Sequence, residues 1–471
     1  MLLLLIELTF VKTCFASWPS ILSESIDLEV VLGRFDNIHP GLTCDHARHI
    51  LSLPIDELET NSDFYMAAAH LVNCPCSETE DALQSLLICD LEDQAVKIAK
   101  RKAVEVLARL GSESSIPLIG QCLFSEDIYL VENSVWALDQ LGCNDQKLIR
   151  QMISLLGDNS QNQRVLIQAL SRLAIEQSLD SIQSLQDSDR PGVRGAAIAA
   201  VSQYTSDKSM LLQITEHLML PNQMDRQCAV QDLIDGGAID LLPSIATAPV
   251  SPAFRIRACR EILAKAKVLP QEQLWLDFID TILRDDPAKI NIIHKYEVLP
   301  PPEALIHQLY DTDFSRCYLA MQNLPAYSSE SLTPILQKSW EEEAHNDYGA
   351  HYFFMHIFGS RDDWSPSALD WVLDLLYQAA INRRPQFQKS RAAAIQAIHR
   401  LNPDLFFELG SQLLRGSIHS SWDCRYVTIM CLERSSIASL NLIKELIMDS
   451  QKDSDVFLQA RAALALTTIA S

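Results

Sequence analysis

Between residues 95 and 266 the apolar positions return with a long, fixed period. A stretch ending Ala108-Arg-Leu-Gly111 is echoed by Leu138-Asp-Gln-Leu-Gly142, then by Ser171-Arg-Leu173, Ser202-Gln-Tyr204, Asp232-Leu-Ile234 and Glu261-Ile-Leu263. The last apolar residue of each falls at 110, 141, 173, 204, 234 and 263, a step of 29 to 32 residues. A step of that size marks stacked units, none of which can bury its apolar face alone. Within a unit a helix opens with small and basic residues, as in Val193-Arg-Gly-Ala-Ala-Ile-Ala-Ala-Val201, after a turn such as Asp187-Ser-Asp-Arg-Pro191. Small side chains there let one helix pair lie close on the next.

The unit resembles a HEAT-like, armadillo-type helical repeat. The expected fold is therefore an all-α solenoid of helix pairs with an irregular middle section. Residues 1–90 read as a helical lead-in and cap, 91–266 as regular repeats, 267–385 as an irregular helical section and 386–471 as C-terminal repeats. In the lead-in, Ser62-Asp63 is expected to cap a helix from Phe64 to Leu71, and Ser77-Glu-Thr-Glu80 the next, by a reciprocal capping box. In the irregular section Leu299-Pro-Pro-Pro302 is a stiff connector, because consecutive prolines cannot sit inside a helix. Regular repeats resume at Lys389, with Leu401 and Leu432 again 31 residues apart, and a last helix starts at Val456.

Composition narrows the function. Of 471 residues 48 % are apolar and only 14 are glycine, which suits a helical array. The net charge of −23 makes nucleic acid or an anionic membrane a poor partner, because phosphate binding needs a basic face, so neither is expected. The twelve cysteines are scattered apart from Cys74-Pro-Cys76, which suggests no disulfide framework and a reducing, cytoplasmic setting. The apolar start, Met1 to Phe15, has no positive residue ahead of its apolar core, as a secretory signal would, and reads as an upstream start or a first packed helix. Two groups carry metal-ligand residue types: Cys44, His46 and His49, and His70, Cys74 and Cys76. Neither supplies a fourth ligand at a convincing spacing, so no metal is expected.

Candidate chemistry concentrates in the irregular section, where polar and aromatic residues depart from the repeat pattern. Tyr310, Asp311, Asp313 and Arg316 bring together a phenol, two acids and a cation. One of the two acids can equally serve as the N-cap of the following helix. The run from Trp340 to Phe358 holds Tyr348, His351, Tyr352, Phe353, Phe354 and His356, and can fill a wide bend of the array. Cys317 is expected to be packed. No phosphate loop, Walker sequence or Ser-His-Asp spacing is present.

Repeats led by His39-Pro-Gly41, Ala47-Arg-His-Ile-Leu51, Tyr65-Met-Ala-Ala-Ala-His-Leu71, Pro75 and Glu80-Asp-Ala-Leu83 resemble the phycobilin lyases of the E/F type, over about residues 30–470. The polar, aromatic middle and acidic character look like the larger phycoerythrin-directed members, which include lyase-isomerases. The resemblance implies an enzyme with no permanently bound cofactor, whose substrates are phycoerythrobilin and a phycoerythrin subunit, α by preference. It implies thioether formation at a cysteine of that subunit, with isomerisation to phycourobilin in some members. On that basis Asp311 is the expected acid, Tyr310 its proton partner and Asp313 the reserve acid. Arg316 is expected to pair with a propionate, and Trp340, His351, Tyr352, Trp422 and Arg425 to wall the binding groove. The competing expectations are a non-catalytic HEAT scaffold and an assembly chaperone for pigment proteins.

Overall fold

The computed structural model describes residues 41–266, 273–435 and 439–470; the apolar start at Met1 to Phe15 lies outside them. Among the described residues there are 25 α-helices and no strand, so the chain is all-α. It divides into two compact units, one ending at Asp207 and one beginning at Lys208. No helix among the described residues is long and apolar enough to cross a membrane.

In the first unit, helix Cys44–Ser52 packs on Asp63–His70, which packs on Gln94–Arg109; then follow Ile128–Gln140, Gln163–Arg172 and Pro191–Thr205, each against the one before. Between these come further helices such as Gln146–Leu155, which packs on Gln163–Arg172 and adds Ile149 and Met152 to the apolar layer formed by Val104, Leu107, Val135, Leu138, Ile167 and Leu170. The repeat period has a backbone cause. Gly111, Gly142, Ala174, Ser206 and Gly237 all adopt positive φ, at steps of 31 or 32 residues, ending each long helix with a left-handed residue.

A second device recurs at the other end of the long helices. The fourth residue is arginine in Pro191–Thr205, Gln223–Asp235, Pro252–Lys265, Gln388–Leu401 and Trp422–Leu432: Arg194, Arg226, Arg255, Arg391 and Arg425. Their guanidinium groups donate to turn carbonyls, Arg226 to Leu220 and Pro221, Arg255 to Ala246 and Val250, and Arg391 to Ala380. Interhelix turns leave carbonyls without intrahelical partners, and a forked donor satisfies two or three at once.

In the second unit, helix Gln273–Arg284 touches three helices of the C-terminal array: Gln388–Leu401, Trp422–Leu432 and Val456–Ala470. Its Asp280 accepts from Tyr426 at 2.9 Å and pairs with Arg284 and Arg461. Helices Tyr348–Ser360 and Gln388–Leu401 approach closely, because a Cβ at Gly359 would lie 2.5 Å from that of Ala397.

Three local expectations need correction. Ser62 stands at the N-cap of helix Asp63–His70, but its side chain makes no capping bond, and the Asp63 carboxylate accepts instead from the Glu59 and Thr60 N–H groups. Helix Ser77–Ile88 uses Cys76 as its N-cap, with no side-chain cap, so the capping box at Ser77 to Glu80 does not form. Pro75 and an extended Cys76 start the helix one residue earlier than the box requires. Cys44 and Cys74 are paired as a disulfide, with Cα atoms 5.8 Å apart. Thirty residues separate them in sequence, but the antiparallel packing of the first two helices returns the chain to its starting point.

Candidate functional site

The Tyr310–Arg316 group forms around the start of helix Phe314–Asn323. Asp313 is its N-cap, accepting from the Ser315 N–H at 2.9 Å, and Asp311 accepts from the Asp313 N–H at 2.8 Å. The two acids then part in role. Asp313 also pairs with the fully buried Arg226 and with His294 Nε2 at 2.9 Å, so its carboxylate is saturated. Asp311 faces outward beside the guanidinium of Arg316, 3.8 Å away, with the two side chains 35 % and 47 % exposed. Tyr310 lies half-buried between them and the next helix, its hydroxyl 2.6 Å from Ser339 Oγ, and burial pushes its phenol up. An open acid and cation beside a phenol can hold pyrrole N–H donors and a carboxylate together. This edge lies at the surface. Two shallow open clefts, of about 550 and 470 Å³, lie in the first unit, beside Cys76 and beside Asp187.

The aromatic run folds as helix Tyr348–Ser360, capped by Asp347, which accepts from the Gly349 and Ala350 N–H groups. His351 and Tyr352 are each 3 % exposed and face the interior, which corrects their expected place on a groove wall. An apolar face of that width is buried before it is available to a ligand. His351 is sandwiched by Phe387 and Trp340, ring centres 4.4 and 5.1 Å away. Trp340 opens a π-helical turn, Trp340–Ala344, and is partly exposed. Trp422 is covered by the Arg260 guanidinium at 3.9 Å, and Arg425 is held by the Ser420 carbonyl and Asp453. Both are engaged in repeat packing rather than gathered at the Tyr310–Arg316 edge.

His351 has a measurable signature. Burial, reinforced by the Arg384 and Lys389 cations, pushes its imidazole down to about 4, against about 6.5 in an unfolded chain. Across that window the unfolded chain binds the extra proton, so stability is complete above pH ~6.5 and falls as the pH drops towards 4. We expect His351→Phe, which keeps the ring contacts, to spare the protein a loss on the order of 2 kcal/mol there. Thermal unfolding from pH 7 to 4 checks this; parallel declines in variant and parent would exclude His351 as the source.

Sequence reasoning missed a fully buried polar group. Asp285 follows helix Gln273–Arg284 with φ +44°, where earlier long helices have glycine, alanine or serine. It is buried and accepts from Arg255 at 2.5 Å, Tyr318 at 2.6 Å and Tyr352 at 2.5 Å. Burial alone would raise its carboxyl, but Arg255, then His356 and the two phenols, hold it below the usual carboxylate range. Burial drives both phenols well above 10. Beside this group the Lys389 ammonium lies over Phe314, Tyr352 and the exposed Tyr348, 5.0 to 5.3 Å from each ring, and burial pushes it down to about 8. Cys317 is packed, as expected, its thiol against the Asp311 carbonyl at 3.3 Å. The recurring arginines at 194, 226 and 255 were the sequence signal for one partner; nothing marked the acid.

No family model matches the chain. It is 46 % identical to the bilin biosynthesis protein CpeY of Synechococcus sp. (strain WH8020), over 88 % of this chain and 99 % of that one. It is 34 % identical to an uncharacterized phycocyanin operon protein Y of Pseudanabaena tenuis (strain PCC 7409), over 84 % and 92 % respectively. Among solved structures, the complex of CpcE and CpcF of phycocyanin lyase from Nostoc sp. PCC7120 matches 56 % of this chain and 98 % of that one, with TM-score 0.43 and 21 % identity.

Proposed function

This chain belongs to the phycobilin lyases of the E/F type, and from that premise we propose that it joins phycoerythrobilin to a cysteine of a phycoerythrin subunit, α by preference. The coarser part, an enzyme attaching a bilin to a phycobiliprotein, follows from its likeness to the bilin biosynthesis protein CpeY. The observation that carries the finer assignment to this site is the division of labour between the two acids. Asp313 is consumed by Arg226 and His294, whereas Asp311 stays open beside Arg316.

In the reaction the subunit's thiol sulfur bonds to the ethylidene carbon of the bilin, and the exocyclic double bond becomes single as the ring system takes up one proton. No group leaves. Asp311 holds the pyrrole nitrogens and governs that proton, Tyr310 relays it, and Arg316 fixes a propionate as a forked cation. Holding the bilin in one near-attack pose supplies much of the acceleration. Because the Asp311–Arg316 edge is open, the docked subunit itself completes the enclosure. Isomerisation to phycourobilin needs a proton removed at one carbon and one delivered at another. Lys389, poised near pH 8 by burial, supports a second proton carrier close to this edge.

Co-expression with a phycoerythrin α subunit and the enzymes that make phycoerythrobilin tests this, by absorbance of the denatured subunit. We expect a covalent phycoerythrobilin spectrum, or a phycourobilin spectrum if the bilin is isomerised. Colour only on a phycocyanin subunit would move the assignment towards the class named in the second relative. Uncoloured α and β subunits throughout would overturn it.

A further inference from the structure

We propose that Cys44, His70 and Cys74 form a binding site for one zinc ion when the protein's thiols are reduced. In sequence these residues belong to two incomplete groups, and the fold merges them. Cys44 is the first residue of helix Cys44–Ser52, His70 the last of helix Asp63–His70, and Cys74 follows the turn Leu71–Asn73. Antiparallel packing of the two helices brings one donor atom from each residue within 4.8 Å of the other two. The remaining members of the two groups stay out. His46 and His49 are exposed, and Cys76 turns its sulfur to Arg48 and Thr79, 3.3 Å from each.

Two thiolates and an imidazole are a borderline-soft donor set that favours zinc over magnesium or calcium. His70 and Cys74 are 7 % and 5 % exposed, while Cys44 is partly exposed. The set therefore has a buried floor and one open side, where water or another exogenous donor completes a tetrahedron. The bonded pair in the structure is the oxidised form of the same site. Zinc–sulfur bonds of about 2.3 Å place tetrahedral sulfurs about 3.8 Å apart, a separation that Cα atoms 5.8 Å apart accommodate. A dithiol reductant delivers two electrons and two protons to the Cys44–Cys74 bond and becomes a disulfide itself. Zinc then displaces both thiol protons, so binding releases acid. Oxidation and metal loading thus exclude each other at one position, independently of the bilin chemistry.

The test is a cobalt titration of the full chain, freed of metal by chelation, in its reduced and oxidised forms. We expect one cobalt per reduced chain, with thiolate-to-cobalt charge transfer and tetrahedral visible bands, displaced by zinc. The oxidised form should show neither. Cys44→Ser and Cys74→Ser should abolish the charge-transfer band, and His70→Ala should weaken the visible bands. In the unsubstituted protein, zinc should shield Cys44 and Cys74, and not Cys76 or Cys89, from alkylation read by peptide mass spectrometry. Full alkylation of both residues in the presence of zinc, or cobalt bands that persist in Cys44→Ser, would overturn the site even if a variant failed to fold.

Discussion

Replacing Asp285 by alanine is expected to destabilise the second unit by about 3–5 kcal/mol, the range for removing one partner of a buried ion pair. The change strands the Arg255 guanidinium, itself fully buried, and removes the acceptor of both the Tyr318 and Tyr352 hydroxyls. Arg255 also holds the Ala246 and Val250 carbonyls, so its displacement loosens the turn before its own helix. Against a total stability of about 5–15 kcal/mol, the loss approaches unfolding. Denaturant melts of the variant read it directly. Asp285→Gly separates the causes: it relaxes the φ of +44° yet still lacks the carboxylate, so it should recover only a small part. A loss below about 1 kcal/mol in the alanine variant would mean that the surrounding helices, and not this acid, hold the unit together.

Asp311→Asn is expected to leave stability within about 0.5 kcal/mol, because the side chain is exposed and pairs only loosely with Arg316. Chromophore attachment should fall about 10²–10⁴-fold, the range for losing a positioned proton-transfer group. The readout is bilin per subunit at fixed times after mixing, with the thermal midpoint measured on the same samples. Asparagine still accepts from the Asp313 N–H, so the start of helix Phe314–Asn323 is kept and only the charge and titration are lost. Unchanged attachment with an unchanged midpoint would remove Asp311 from the mechanism and leave the family membership standing.

Much of the fold was legible because repetition is a local signal. The apolar endings at 110, 141 and 173 each precede by one residue the left-handed positions at 111, 142 and 174. The all-α class and the regular array followed from that period. The site was legible only in part. Asp311 and Asp313 are equivalent as sequence, and the partner that separates them, Arg226, lies 87 residues away. His351 and Tyr352 were placed on the groove wall from the family resemblance, whereas their rings sit among Phe387, Trp340 and Phe353, as the alternative of an aromatic run filling a bend implies. Asp285 stands in Leu283-Arg-Asp-Asp-Pro287, which reads as an ordinary polar turn. The partners that make that turn an interior one, Arg255, Tyr318 and Tyr352, lie 30, 33 and 67 residues away in sequence. The Cys44–Cys74 contact was hidden for the same reason, since each cysteine had nearer candidates in its own neighbourhood.

The arginines near the starts of the long helices reach forward as well as back. Arg164 donates to the Gly192 carbonyl, Arg226 to that of Pro249 and Arg391 to that of His419, spans of 28, 23 and 28 residues. Each is completed by a segment that is still inside the ribosome when the arginine emerges. Folding during synthesis should therefore trail the growing chain by nearly one repeat, and a message cut between repeats leaves its last arginine facing a turn that never arrives.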